Sequence, residues 1–218
     1  MELDQLYDKA KNTPSDINEH IETLYNYATE CTSIAELGVR GMVSTWAFLK
    51  GLRDSKIKEQ AKLRYYAFDI IPLEEDRLNQ VCFENGIDNT NYFGVSDLDV
   101  DISGEYYDIV FIDTFHCYPQ CYEELCKFAP HANKYIILHD TTIDGETSEC
   151  VRLGYEPQHY QSLVERYGGK YTEEDFKKGL MYALGEFMED HPRWQIWESK
   201  ENNNGLTILK YVSFDGYD

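Results

Sequence analysis

The 218-residue chain carries 40 acidic residues against 20 basic ones, a formal charge of −20. A surface of that sign repels phosphate backbones and anionic membranes, which disfavours nucleic acid as a partner. No apolar run approaches the roughly 18 residues that span a bilayer. The acidic start Met1-Glu2-Leu3-Asp4 also lacks the basic-then-apolar order of a secretion signal, so a soluble cytoplasmic protein with no membrane partner is expected. The length, and a hydrophobic fraction of 42%, suit one domain over residues 1–218 with a single sizeable core.

In chain order, the opening reads as helical over residues 1–30. Thr13-Pro14-Ser15-Asp16 is a helix-start signal with Ser15 or Asp16 as cap. Ile17, Ile21, Leu24, Tyr25 and Ala28 follow at helical spacing. Ser33–Gly38 reads as a short strand, and Val43–Leu52 as the helix after it. Leu63–Ile71 is the second strand, Leu73–Asn85 a helix stopped by Gly86, and Thr90–Val95 the third strand. Tyr107–Asp113 is the clearest strand, an apolar run closed by Asp, as in strands buried on both faces. A helix from Tyr118 to Ala129 and a fifth strand, Lys134–Leu138, continue the alternation.

Residues 141–175 are polar and weakly periodic, with one helix expected from Gln158 to Tyr167. A long connection after a strand's carboxyl end reads as a lid over a ligand site. Phe176, Leu180, Ala183, Leu184 and Phe187 predict one further helix. Trp194–Ser199 and Leu206–Val212 predict a hairpin around Glu201-Asn202-Asn203-Asn204-Gly205. The predicted fold is therefore α/β: a Rossmann-like, doubly wound sheet of seven strands, mostly parallel, with a C-terminal antiparallel β-hairpin and extra N-terminal helices.

The candidate chemistry gathers at predicted strand ends. The turn Glu36-Leu37-Gly38-Val39-Arg40-Gly41-Met42-Val43-Ser44 offers a glycine for close approach and free N–H groups at a helix start. It is not GxGxxG, which argues against a nicotinamide dinucleotide. Asp69 can accept ribose hydroxyls, and Ser96-Asp97 follow the third strand. Asp113 closes the fourth strand with His116 three residues on, and His139-Asp140 close the fifth. Neighbouring parallel strands bring these ends together. Asp113, His139 and Asp140 form a candidate ligand set for one divalent ion, with His116 nearby as base. Oxygen ligands favour Mg²⁺, and the histidine favours Mn²⁺ or a softer ion. The metal-free alternative has Asp113 holding a cofactor and a histidine removing the substrate proton. The six cysteines contain no CxxC pair and read as buried structural thiols. The 18 tyrosines suit half-buried surface or a stacking pocket.

Several segments carry a resemblance to a known family over nearly the whole chain. They are Pro14–His20, Glu36–Arg40 with Ser44-Thr45-Trp46, Phe111-Ile112-Asp113 with His116, His139-Asp140-Thr141-Thr142, and Asn202–Thr207. Together they resemble a bacterial and viral branch of the class I S-adenosylmethionine-dependent methyltransferases. A more distant resemblance runs to metal-dependent O-methyltransferases of antibiotic sugars and to cephalosporin-hydroxylase-like proteins. Those carry an acidic pair where this chain has His139 and Asp140. The resemblance implies S-adenosylmethionine as cofactor. Glu36, Gly38, Arg40 and Ser44 would then lie around its methionine part, Asp69 at the ribose, and Ser96 and Asp97 at the adenine. Asp113 would touch both cofactor and acceptor. The expected acceptor is a small molecule with a hydroxyl, such as a sugar or nucleotide sugar, with His116 or His139 as base. A nucleotide-sugar or dinucleotide oxidoreductase, a non-catalytic cofactor-binding protein and a protein methyltransferase are the rivals on the same fold. The N-terminal helices and residues 141–175 are the candidate surfaces for a homodimer.

Overall fold

The computed structural model describes residues 2–73 and 75–212. The readings that fall on Met1, on Glu74 within the predicted helix Leu73–Asn85, and on 213–218 at the end of the expected domain lie outside the described residues. The strands are β1 (Ser33–Leu37), β2 (Arg64–Asp69), β3 (Asp88–Phe93), β4 (Tyr107–Ile112), β5 (Ala132–His139), β6 (Trp194–Lys200) and β7 (Leu206–Tyr211). They form one sheet in the order β3-β2-β1-β4-β5-β7-β6. The first five run parallel, and β7 lies antiparallel between β5 and β6. Every residue of β1 and β4 is buried, including the polar Ser33, Glu36 and Asp108, as befits strands at the centre of a covered sheet.

Helices cover both faces. On one side lie α1 (Glu2–Asn12), α2 (Ile21–Ala28), α3 (Val43–Arg53) and α4 (Asp76–Glu84). Leu3, Leu24, Phe48, Leu52 and Val81 pack there against Ile34, Phe111 and Ile137. On the other side lie α5 (Tyr118–Phe128), α6 (Glu149–Arg152), α7 (Pro157–Arg166), α8 (Glu173–Lys177) and α9 (Leu180–Asp190). Leu125, Phe128, Phe176, Leu184 and Phe187 press there on Ala35, Val110 and Ile136. Inward faces alternate along each strand, so adjacent residues feed opposite layers. No helix among the described residues is long and apolar enough to cross a membrane.

The register decides where chemistry can happen. Leu37 pairs with Phe68 on one side and Ile112 on the other, and Ile112 pairs with Leu138. The next residues in each strand or turn are Gly38, Asp69, Asp113 and His139. They stand in a row at the carboxyl edge of the sheet, where ligands bind in open α/β folds.

Four local readings need correction. Ser15 and Asp16 cap no helix. A 3₁₀ turn, Asn18–His20, precedes α2, and neither it nor α2 has a side-chain cap. Ser15 Oγ instead accepts from the Ile17 N–H, and Asn18 Oδ1 accepts from the Ser15 N–H. The third strand starts two residues earlier than its apolar pattern predicts, at Asp88, because it is an exposed edge with little hydrophobic signal. The helix expected through Phe176 and Phe187 is two helices, α8 and α9. The backbone between them is diverted by neighbours: Lys178 C=O accepts from Tyr118 N–H, and Gly179 N–H donates to Glu146 C=O. Segment 141–175 is more ordered than its polarity suggests, with α6, α7 and the start of α8 and buried Asp144, Ser148, Tyr160 and Tyr171.

The β6–β7 turn reaches back to the N-terminal segment. Asn203 and Asn204 take left-handed φ angles of 47° and 70°, which asparagine tolerates better than other non-glycine residues. Asn203 Nδ2 donates to the Ser15 carbonyl and its Oδ1 accepts from Glu19 N–H. His20 Nε2 donates to the Asn202 carbonyl at 3.0 Å.

Candidate active site

At the carboxyl edge the strand ends open into a cavity of about 610 Å³. The turn after β1 supplies Gly38, Arg40 and Ser44; Asp69, Ser96 and Asp97 follow β2 and β3; Asp113 and His116 follow β4; Asp140 follows β5. These are nine of the residues singled out from the sequence. Glu36 and His139 do not line it.

Gly38 is fixed by contact. Its φ is +86°, and a Cβ there would sit 1.9 Å from the Asp113 carbonyl oxygen. Only glycine lets β1's turn pass under the end of β4. Asp69 then organises the same turn: its Oδ2 accepts from the N–H groups of Val39 (3.0 Å) and Arg40 (2.7 Å), and its Oδ1 from Ile71 N–H at 2.8 Å. Accepting capacity is left on Oδ1. Arg40 and Met42 have φ angles of 33° and 57°, uncommon outside glycine and frequent near functional sites. The Arg40 guanidinium is exposed and holds Asp16 at 3.1 Å.

Glu36, expected beside a cofactor, is wholly buried beneath the turn. Its Oε1 accepts from Ser44 Oγ at 2.5 Å and its Oε2 from Thr45 Oγ1 and Tyr65 Oη. It ties the start of α3 to β1 and β2. Burial outweighs these three hydroxyl donors and raises its pKa from 4.5 to about 7. The fold therefore favours the protonated acid. That contribution is complete below pH 4.5 and is lost as pH rises through about 7, a change on the order of 3 kcal/mol. Glu36→Gln should remove this dependence. Denaturation at about pH 5 and about pH 8 should show wild type losing that much stability relative to the variant. Equal pH dependence in the two proteins would refute the assignment.

The densest chemistry surrounds two histidines. His116 Nε2 faces Asp113 Oδ1 at 3.2 Å. Its Nδ1 faces Asp144 at 3.0 Å, Asp140 at 3.2 Å and Glu149 at 3.3 Å. His139 Nδ1 faces Asp113 Oδ1 at 3.3 Å and Asp140 Oδ2 at 3.5 Å. Its Nε2 donates to the carbonyls of Asp16 (3.1 Å) and Asn203 (3.3 Å). Burial opposes charge on both rings. The carboxylates overcome it and raise both pKa values to about 10, through Asp113 and Asp144 for His116 and through Asp113 and Asp140 for His139. Burial would likewise raise Asp113, but the two histidines hold its carboxyl well below the usual range.

In this arrangement acceptors face both nitrogens of each ring. A ring nitrogen that donates to a carboxylate has no lone pair to receive a proton. Asp144 and Glu149 were missed in the sequence, where nothing separates them from the other acids. Arg152 was missed too; it grips Asp144 through two bonds of 2.7 Å.

The donor set also bears on a metal. Asp113, His139 and Asp140 offer ligand atoms within 4.8 Å of one another, as do His116, Asp140 and Asp144. Asp140 Oδ1 is buried without a hydrogen-bond partner, and Asp140 takes a left-handed φ of 57°. His139 anchored through Nε2–H on backbone carbonyls, with Nδ1 turned to two carboxylates, has the outer-shell pattern of a ligating imidazole. The six cysteines are free thiols, five of them buried, and neither candidate ligand group includes one.

No family model matches the chain. No curated protein matches it either. Solved structures do. The chain is similar to an O-methyltransferase from Bacillus cereus in complex with SAH, at 14% identity and TM-score 0.56, covering 97% of this chain and 89% of that one. It is similar to the O-methyltransferase TomG from Streptomyces achromogenes, involved in tomaymycin synthesis and solved with SAM, at 14% identity and TM-score 0.53, with the same 97% and 89% coverage. The N-methyltransferase NodS from Bradyrhizobium japonicum, in complex with S-adenosyl-L-homocysteine, matches at 10% identity and TM-score 0.54, covering 93% of this chain and 90% of that one. At such identities the likeness defines the fold: the chain has the Rossmann-like methyltransferase fold, with its hairpin strand inserted antiparallel beside β5.

Proposed function

We propose that the chain is an S-adenosylmethionine-dependent methyltransferase acting on a hydroxyl of a small molecule, with sugars and nucleotide sugars as the first acceptors to test. One observation carries this reading: the glycine turn after β1, Asp69, Asp97 and Asp113 all line one cavity on a methyltransferase-type sheet. Its volume of about 610 Å³ suits a nucleoside-sized ligand. Its acidic lining suits a cofactor with a sulfonium cation. Gly38, Ser44 and Asp113 would hold the methionine part, Asp69 the ribose, and Ser96 and Asp97 the adenine. Arg40, at the rim, would meet a charged group of cofactor or substrate.

The cofactor, when bound, supplies an electrophilic methyl group for in-line transfer to the acceptor oxygen. The chain's own residues position that oxygen and take its proton. Glu149 is the better base. It lines the cavity and faces His116, and burial raises its pKa, toward the range useful near neutral pH. His116 and His139 then act as fixed cations that organise the carboxylates. Phe115 and Tyr155, ring centroids 6.4 Å apart and inclined 26°, would offer the acceptor an aromatic wall.

A divalent ion fits the same cluster in a second protonation state. Asp113, His139 and Asp140 would hold Mg²⁺ or Mn²⁺, and the ion would polarise the acceptor hydroxyl. The rest of this reading is a single domain working in the cytoplasm, residues 141–175 as its lid, and a homodimer through that segment or the N-terminal helices.

Calorimetric titration with S-adenosylmethionine and S-adenosylhomocysteine, each with and without EDTA, tests the proposal. Binding of both at micromolar affinity is expected. Sensitivity to EDTA would favour the metal state. Failure of both, with NAD(H) or a sugar nucleotide binding instead, would refute it.

A further inference from the structure

The cavity has cations that the cofactor reading leaves unused. Three of the chain's seven arginines line it, Arg40, Arg152 and Arg166, and none of its thirteen lysines does. Arg40 stands on the turn after β1 and holds Asp16. Arg152 and Arg166 sit in the last turns of α6 and α7. These helices cover the opposite face of the sheet from α3, within the segment read as a lid.

The Arg166 side chain makes no hydrogen bond or ion pair among the described residues. Each of the other six arginines makes at least one. Acids outnumber bases two to one in this chain, so a guanidinium without an acid is an exception that asks for a reason. The adjacent Glu165 accepts instead from Gln161 Nε2 at 3.2 Å. Leu163, one turn before Arg166, lines the cavity with it, so a single face of α7 is turned to that space. Arg152 spends Nε and Nη2 on Asp144, each at 2.7 Å, while its Nη1 makes no bond among the described residues. Asp144 also meets His116 Nδ1 at 3.0 Å. Arg152 is thereby braced against the histidine cluster with one edge of its fork unspent. Guanidinium forks suit the paired oxygens of a carboxylate or phosphate, and they stay charged at any working pH.

We propose that Arg152 and Arg166 form an oxyanion subsite for the acceptor, so that the molecule methylated carries a phosphate or carboxylate besides its reacting hydroxyl. This rests on the methyltransferase reading and deepens it by naming the charge of the acceptor. Glu149, the base in that reading, precedes Arg152 by three residues on α6 and lines the same cavity. One short helix thus presents a proton acceptor and an anion clamp on neighbouring positions of one face, and it sets the spacing between hydroxyl and oxyanion. The methionine part of the cofactor, placed at Gly38 and Ser44, leaves both arginines to the acceptor. A neutral sugar forgoes the two cations and an amine is repelled by them, so the subsite selects by charge.

Inorganic pyrophosphate and malonate are the probes, titrated by calorimetry into protein saturated with S-adenosylhomocysteine. At least one should bind, more weakly as salt is raised. Arg166→Gln should weaken that binding at least about tenfold while leaving thermal stability and S-adenosylhomocysteine affinity unchanged, since the side chain is exposed and unpaired. Arg166→Lys should recover part of the loss, because it restores the charge without the fork. Arg152→Lys, which keeps a cation beside Asp144, should also weaken the probe. Arg77→Gln removes the same charge outside the cavity and should bind like wild type. Tighter pyrophosphate identifies a phosphate on the acceptor, and tighter malonate a carboxylate; either supports the subsite. No binding of either probe, equal affinity in wild type and Arg166→Gln, equal losses in Arg166→Gln and Arg77→Gln, or displacement of S-adenosylhomocysteine by the probe overturns the inference and leaves the cofactor assignment intact. Binding of a probe that depends on Arg166, with no binding of S-adenosylhomocysteine, overturns the cofactor assignment and leaves the anion subsite standing.

Discussion

Asp113→Asn is expected to lower turnover by at least about a hundredfold and to destabilise the fold by about 3 kcal/mol. One oxygen of Asp113 serves both rings, at 3.2 Å from His116 Nε2 and 3.3 Å from His139 Nδ1. The amide keeps the shape and removes the charge. His116 then keeps Asp144, Asp140 and Glu149, whereas His139, almost wholly buried, keeps Asp140 at 3.5 Å. Breaking one partner out of such a pair costs more than the pair contributes, because the remaining charge is stranded. Chemical denaturation reads the stability, and single-turnover assays with the acceptor found by screening read the rate. A companion change, His139→Gln, should return part of the lost stability in the double variant, since it removes one stranded charge. Wild-type stability in Asp113→Asn would show that the histidines are not held as cations.

Gly38→Ala should be nearly as damaging, for a steric reason. Its Cβ would meet the Asp113 carbonyl oxygen at 1.9 Å, in a left-handed backbone with φ +86°. The backbone conformation alone costs about 1–2 kcal/mol. The overlap cannot be relieved without separating the ends of β1 and β4, which is where the cofactor would bind. An affinity loss for S-adenosylhomocysteine above about a hundredfold is expected, with destabilisation of about 3 kcal/mol or more. Gly86→Ala is the control: it shares a left-handed φ of +68° but has nothing within 4 Å of the added carbon. It should cost only the conformational part and leave binding untouched. Similar losses in the two variants would mean that the contact with Asp113 is not the cause.

The sequence announced the parts of the fold that burial makes one-sided. Tyr107–Ile112 is apolar apart from Asp108 because both its faces are covered, and the run ends in Asp113 because the sheet ends there. The Asn202–Gly205 turn is readable because its backbone angles suit few other residues. β3 was placed imprecisely for the converse reason: Asp88-Asn89-Thr90-Asn91 lies on an exposed edge, where pairing comes from the backbone alone. The break between α8 and α9 depends on carbonyls from residues 144–146, a tertiary fact invisible in a helical pattern. At the site, position at or after a strand end singled out Asp69, Asp97, Asp113 and Asp140, which all line the cavity. It could not show that Glu36 turns inward or that four carboxylates converge on His116. Each of these is a choice of direction made by packing, among forty acids that look alike in one dimension.

The clasp between Ser15–His20 and Asn202–Asn203 makes the two far ends of the chain one inheritable unit. Glu19 and Asn203 are 184 residues apart, yet joined by a 3.0 Å bond, and the carbonyls of Asp16 and Asn203 together set the proton on His139. A chimera that takes its N-terminal helices from one parent and its hairpin from another would join mismatched halves of the support behind β5. Recombination that keeps the site intact must carry both segments from the same parent, however far apart they lie in the gene.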